Sequence, residues 1–267
     1  MSAAKPTVLF EQKGAVLQVS LDRKELLNAV NSSVLEELEI GLRANAGNSD
    51  VKIMVLCGLG RCFCSGADIK ELASFDEAGM RKFYQLRERT FALLESLPFP
   101  SLAVVHGYAL GTGLELALSC DFRIAAAGAK FGVPSAKLGI VEGYDYIFRL
   151  VRAVGPFRAK RLLLTGVKID ADAAFHIGLI EEVVPIDELF GRAQTIAADI
   201  ALNSTFSMVG SKNAVAVLVK DPNLLTVPDR AALMVESLQS ADFRQRAAAF
   251  LEKRSDKPEE TGSMRGD

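Results

Sequence analysis

The chain is poor in the residues from which metal and redox centres are built. It has two histidines and four cysteines in 267 residues. Cys57, Cys62, Cys64 and Cys120 follow no zinc-ligand spacing, so reduced, buried or half-buried thiols are the simpler reading. No apolar run approaches the roughly 18–20 residues of a membrane-crossing helix. The opening Met1-Ser2-Ala3-Ala4-Lys5-Pro6 carries neither the apolar stretch of a secretory signal nor an Arg-rich transit pattern, and a cytoplasmic location is expected. Basic residues form no stripe, and a net charge of −2 with a pI near 5.9 argues against nucleic-acid binding. The phosphate-cradling GxGxxG and GxxxxGK[ST] patterns are also missing.

What is present is a composition that can bury a large core, 49% hydrophobic against 24% charged. Residues 7–21 read as two strands about Gly14, the second alternating Leu17, Val19 and Leu21 with polar neighbours. Ser33 and Glu36 have capping-box spacing and predict a helix start, with Leu35, Leu38 and Leu42 on one face. Val51–Cys57 is nearly continuous in apolar residues, as a strand covered on both faces would be. A helix over 81–97 stops at Pro98. Strands are predicted at Ser101–Val105, Phe122–Ala127 and Leu179–Val184. Helices are predicted at Gly111–Ser119, 145–154, 156–165 and 171–177, and a long helical run from Asp187 to Lys253. Alternating strands and helices predict an α/β core over residues 1–200, a helical domain over 201–254 and a polar, disordered tail over 255–267. Periodicity does not distinguish an open sheet from a spiral.

Two segments carry the chemistry. In Gly60–Lys70 a buried strand passes through small residues into a helix beginning near Asp68. In Val105–Leu116 a strand again passes through glycines into a helix. Each leaves backbone N–H groups free at a helix start. Two such turns side by side would aim two donors at one oxygen, as an oxyanion site requires. Ordinary packing turns, or a phosphate site, satisfy the same pattern.

At these residues the chain resembles the crotonase superfamily, the enoyl-CoA hydratase/isomerase family. The resemblance lies in Phe63–Leu72 and His106–Leu118, in Leu27-Asn28-Ala29, Phe131-Gly132-Val133-Pro134, Leu164-Thr165-Gly166 and Gly178-Leu179-Ile180, and in the closing Phe250-Leu251-Glu252-Lys253-Arg254. It implies a spiral of ββα units followed by a helical trimerisation domain, assembled as a homo-trimer or a hexamer. It also implies an acyl-CoA substrate in which coenzyme A is part of the substrate, with no separate cofactor and no metal. The oxyanion donors it implies are the N–H groups of Ala67 and Thr112, the latter standing where the family usually has glycine. It implies coenzyme A contacts from Arg23 or Lys24 near the phosphates and from Leu26, Ala67, Asp68 and Ile69 around the adenine. Phe250 and Lys253 would come from a neighbouring subunit.

The departures bear on the reaction. Hydratases of the family use two glutamates. One matches Glu115, but the position of the other, after the proline of the Phe-Gly-x-Pro motif, is Ser135, which is no proton donor near neutrality. Where hydratases read Gly-x-x-Pro-Gly, this chain reads Gly139-Ile140-Val141-Glu142-Gly143, so an acid stands in the proline's place. Glu142 is therefore expected to face the acyl pocket, with Asp145, Tyr144 or Tyr146 beside it or merely packing. Phe75, Met80, Phe83 and Tyr84 are candidates to shape that pocket. His106 is expected to matter through its backbone and His176 to close a helix. The expected reaction is hydration of a 2-enoyl-CoA by Glu115 and Glu142. A double-bond isomerase with Glu142 as sole base and a non-catalytic acyl-CoA binder are the alternatives.

Overall fold

In the computed structural model, which describes residues 5–255 and side chains as far as residue 252, the first two strands pair as a hairpin. These are β1 (Val8–Lys13) and β2 (Val16–Leu21), antiparallel across the Gly14 turn. The expected tail from residue 256 onward and the side chain of Lys253 lie outside the described residues. The apolar run forms β3 (Ile53–Gly58), parallel to β2 on one side and to β4 (Ser101–Val105) on the other. Strands β6 (Phe122–Ala126) and β9 (Glu182–Val184) continue this sheet in parallel, in the order β1-β2-β3-β4-β6-β9. Parallel strands need cover on both faces, which is why β3 and β4 are apolar nearly throughout.

A second sheet, which hydrophobic periodicity did not reveal, joins β5 (Tyr108–Leu110), β7 (Lys130–Gly132) and β8 (Lys168–Asp170). Strands of three residues are too short to print a period of two. The chain steps from β4 in the large sheet to β5 in the small one, and again from β6 to β7, with a helical segment after each pair. That stepping makes the ββα spiral.

The helices of the core are α1 (Ser32–Ala46), α2 (Ile69–Leu72), α3 (Glu77–Glu95), α4 (Thr112–Leu118), α5 (Tyr144–Thr165), α6 (Ala171–His176) and α7 (Leu189–Ala201). The cap of α1 corrects the sequence reading. Asn31, not Ser33, accepts the Val34 N–H at 3.1 Å, while the Ser33 hydroxyl turns to Glu37. A carboxamide two residues earlier satisfies an orphan donor that the serine no longer needs to meet. Helix α5 is kinked at Gly155, whose φ of 75° precedes Pro156, as the dipeptide predicted.

The chain divides into two units, residues 1–203 and 204–267. Within the second, the predicted unbroken helical run is three helices, α8 (Thr205–Lys220), α9 (Ala232–Gln239) and α10 (Ala241–Ser255). Pro222 and Pro228 end the first of them, and Asp221 caps the intervening turn by accepting from the Thr226 N–H at 2.7 Å. No helix among the described residues is long and apolar enough to cross a membrane. All four cysteines are buried, and none is in a disulfide.

Candidate active site

The two glycine turns are laced together by backbone. Cys64 and Ala109 form a parallel bridge: the Cys64 N–H donates to Tyr108 O at 2.8 Å, and the Leu110 N–H donates to Cys64 O at 3.2 Å. The contact is so close that a Cβ on Gly113 would stand 2.5 Å from the Cys64 carbonyl. Gly113→Ala is therefore expected to lose about 1–3 kcal/mol of stability, readable by denaturant titration. An unchanged midpoint would mean the turns can part without cost.

Ala67 is flanked by a second bridge. The Val30 N–H donates to Gly66 O, and the Asp68 N–H donates to Val30 O. In a parallel bridge the residue between those two bonds turns its own N–H to the opposite side, so the Ala67 donor points away from Val30. Thr112 begins α4, where the N–H has no intrahelical partner. The positive φ of 49° falls on Gly111 before it, so threonine sits in ordinary helical backbone and keeps the donor. The buried Tyr146 hydroxyl donates to Gly111 O at 2.8 Å and pins this turn.

Asn28 braces the first turn from behind. Its side-chain N–H groups reach the carbonyls of Leu59 and Cys62, and its carbonyl accepts from the Arg23 N–H. Leu27 and Asn28 both adopt positive φ, 53° and 55°. His106 acts as expected through its backbone, its carbonyl accepting from the Phe63 N–H, while its Nε2 lies 3.0 Å from Gly60 O. His176 closes α6.

A cavity of about 910 Å³ opens between α2, α3 and the turn bearing Glu142. Ile69, Leu72, Met80, Phe83, Leu138 and Ile140 give it apolar walls, and Tyr84, Arg87 and Glu142 supply polar groups. Such a size and mixture suit a small-molecule site. Phe75 stands outside the lining, packed on the Phe83 ring at 5.8 Å. Tyr144 is 90% exposed, whereas Asp145 accepts from the Tyr84 hydroxyl at 2.8 Å. Burial and that carboxylate push the tyrosine up to about 12, so it stays a donor.

The structure brings Glu142 to Ser135: the serine hydroxyl donates to Glu142 Oε1. The Glu142 carboxyl thus meets the side chain that follows the proline motif. Glu115 is fully buried on α4. Its Oε1 accepts from Arg149 at 3.0 Å, while Oε2 lies 3.4 Å from Arg87 Nε with no hydrogen-bond partner among the described residues. Arg87 Nη1 stands 3.9 Å from Glu142. Burial outweighs the two guanidiniums and pushes Glu115 up to about 8. The sequence reading missed Arg87, Arg149 and Glu88. Their signal was charge inside an apolar stripe: Phe83, Arg87, Phe91 and Leu94 share the buried face of α3, and Arg149 sits beside Leu150 on the buried face of α5.

The raised carboxyl has a consequence for stability. Unfolded, Glu115 releases its proton near 4.3; folded, it holds it to about 8. Between those values the folded chain binds more protons, so stability falls as pH rises, by at most about 1.4 kcal/mol per pH unit. Thermal unfolding from pH 5 to 8 is expected to show this slope, and Glu115→Gln to flatten it. Parallel curves for the two proteins would count against a protonated Glu115.

Of the residues expected at the coenzyme A portion, Arg23 is engaged within the chain. Its guanidinium donates to Asp68 at 3.0 Å and to Ala29 O. Asp68 also caps α2 by accepting from the N–H groups of Lys70 and Glu71. Lys24 is exposed, as are Leu26 and Ile69, at 51% and 47%. Phe250, on α10, is exposed. No group of three or more metal-ligating side chains lies together among the described residues.

Comparison with known proteins agrees with this architecture. The enoyl-CoA hydratase/isomerase family model matches residues 11–260. A short-chain-enoyl-CoA hydratase of Clostridium acetobutylicum is 37% identical over 248 residues, 92% of this chain and 95% of that protein. A crotonyl-CoA hydratase of Syntrophomonas wolfei is 38% identical over 258 residues, covering 94% and 97%. The crystal structure of an enoyl-CoA hydratase from Bacillus anthracis superposes with a TM-score of 0.88 at 33% identity, covering 92% and 96%.

Proposed function

The chain belongs to the enoyl-CoA hydratase/isomerase family and is an enzyme of it, and from that premise we propose that it hydrates a short 2-enoyl-CoA to the 3-hydroxyacyl-CoA. The observation that carries the reading is the Ser135–Glu142 hydrogen bond. An acid from the wrong place in the sequence arrives at the right place in the fold, with Glu115 beside it through a shared arginine.

The thioester oxygen is held by the Ala67 and Thr112 N–H groups, which stabilise the enolate as charge moves onto it. Water adds across the double bond: its oxygen bonds to C3, the C2=C3 π bond opens, and C2 takes a proton. Glu142, at the cavity wall, delivers that proton. Glu115 orients the water and, in its ionised form, whose share grows as the pH nears 8, accepts the water's proton. Lys24 is the exposed cation for the coenzyme A phosphates, since Arg23 is tied to Asp68. Leu26 and Ile69 offer exposed apolar surface to the adenine, and Phe250 and Lys253 serve a neighbouring subunit. Helices α8 and α9 bury none of their residues within the unit, and we assign their apolar faces to assembly as a trimer or a dimer of trimers.

A second reading has one observation in its favour. Glu142 lines the cavity and Glu115 does not, as a double-bond isomerase with a single base would require. An ultraviolet assay separates the two. Loss of the conjugated thioester band with crotonyl-CoA is the expected result. No loss there, with gain of the band from a trans-3-enoyl-CoA, would replace hydration by isomerisation.

A further inference from the structure

Between α3, α4, α5 and the turn bearing Glu142, charged groups form one connected array. Its described members are Arg87, Arg149 and Arg152 with Glu88, Glu95, Glu115 and Glu142, linked at 2.8 to 3.9 Å. Three guanidiniums face four carboxyls, so one carboxyl has no cation of its own. Among the described residues, Arg87 is the member that reaches both Glu115, at 3.4 Å, and Glu142, at 3.9 Å. It also lines the cavity that Glu115 does not reach. Its guanidinium stands 5.3 Å from the Tyr84 ring centroid, and Tyr84 is itself fixed by Asp145.

We propose that Arg87 is a positioning residue for the reaction: its guanidinium links Glu115 to Glu142 at the cavity wall and holds the two carboxyl groups in fixed relation to each other. This rests on the reading above that both glutamates move protons. Arginine suits the task because it stays charged, and its rigid fork addresses two carboxylates at once, which the point charge of a lysine does not. Burial raises the Glu115 carboxyl, and the Arg87 charge 3.4 Å away draws its titration down from where burial alone would put it. The groups facing Arg87 are Tyr84 and Glu88 from α3, Glu115 from α4, Glu142 from the turn, and Tyr146 and Arg149 from α5. Tyr146 holds its proton well above the usual tyrosine range because it is buried.

The test is a carbon-13 NMR titration of glutamate carboxyls in the full-length protein, with steady-state kinetics alongside. In Arg87→Met the Glu115 midpoint is expected to rise by about 1–3 pH units. Arg87→Lys is expected to restore much of that midpoint while kcat stays down by about 10²-fold, as a misplaced group produces, with KM changed far less. A Glu115 midpoint unmoved in a folded Arg87→Met overturns the proposal. So does a kcat loss of the same size in a Glu115→Gln background, which is what a merely structural arginine would give. Should Arg87→Met not fold, Glu142→Gln is titrated instead. Removing the competing carboxylate should lower the Glu115 midpoint, and an unmoved midpoint again overturns the link. The titration needs no turnover, so a moved midpoint in a protein that does not hydrate crotonyl-CoA would remove the hydratase reading and leave the coupling standing.

Discussion

Glu142→Gln is expected to lower turnover of crotonyl-CoA by about 10²–10⁴-fold, the span that a positioned acid or base contributes. The substitution is nearly isosteric, and its amide carbonyl still accepts from the Ser135 hydroxyl that meets Glu142 Oε1. The exchangeable acid is lost while the place is kept. The ion pair forgone is the long one, 3.9 Å to Arg87, so the melting temperature should move by only a few degrees. Substrate affinity should hold within a few-fold, because in the proposed mechanism backbone N–H groups and not Glu142 hold the thioester oxygen. The effect belongs in kcat, as expected for an interaction made in the transition state. Unchanged turnover would remove Glu142 from the chemistry and with it both the hydratase and the isomerase readings. Ser135→Ala offers a graded companion: the carboxyl remains but its hydrogen bond is gone, and the loss should be smaller.

Arg149→Met is expected to be the most destabilising single change in the core, by about 3–5 kcal/mol. Arg149 is buried and donates to Glu88 at 2.8 Å, to Glu115 at 3.0 Å and to Glu95 at 3.2 Å. Its removal takes a donor from three acids at once, one of them with no exposure at all, and leaves Glu88 and Glu115 to Arg87 and Glu95 to Arg152. Methionine fills much of the volume, so the cost is electrostatic rather than a cavity. For a unit of this size the loss corresponds to a fall in melting temperature of roughly 6–20 °C. The damage should be smaller at low pH, where these acids can protonate. A melting temperature within a degree or two of the parent at pH 7 would mean that water reaches these carboxylates and the array is not load-sharing.

Where each residue's role depends on its neighbours along the chain, the sequence was a good guide. The long strands, the kink at Gly155-Pro156 and the Asp68 cap are local matters, settled by apolar runs, a proline and a side chain two or three positions from the N–H it meets. The turns around Ala67 and Thr112 were also visible, because a strand, small residues and a helix follow one another there. What escaped was set by distance in the chain. The small sheet is made of three-residue strands whose partners lie some twenty to forty positions away. The Asn31 cap lost to Ser33 on paper because a capping box is the more recognisable pattern. Arg87 and Arg149 looked like interruptions of amphipathic helices, although each is the buried counter-charge of an acid on another helix. Glu142 was singled out by an unusual residue in a familiar place, yet its hydroxyl partner and the Arg87 link required three dimensions.

The lacing of Cys64 to Ala109 separates what evolution can alter from what it cannot. The two donors are held by main chain, through a pairing that no side-chain substitution removes short of forcing the strands apart. The acids, by contrast, are carried by side chains, one of them in a short exposed turn outside both sheets. Under the proposed mechanism, a scaffold divided in this way lets one proton-handling group replace another, at position 135 or seven residues later, while the same backbone donors face the thioester. A change of reaction is then a matter of where along one surface turn an acid is encoded, and the serine that meets Glu142 stands where the family resemblance places the other glutamate.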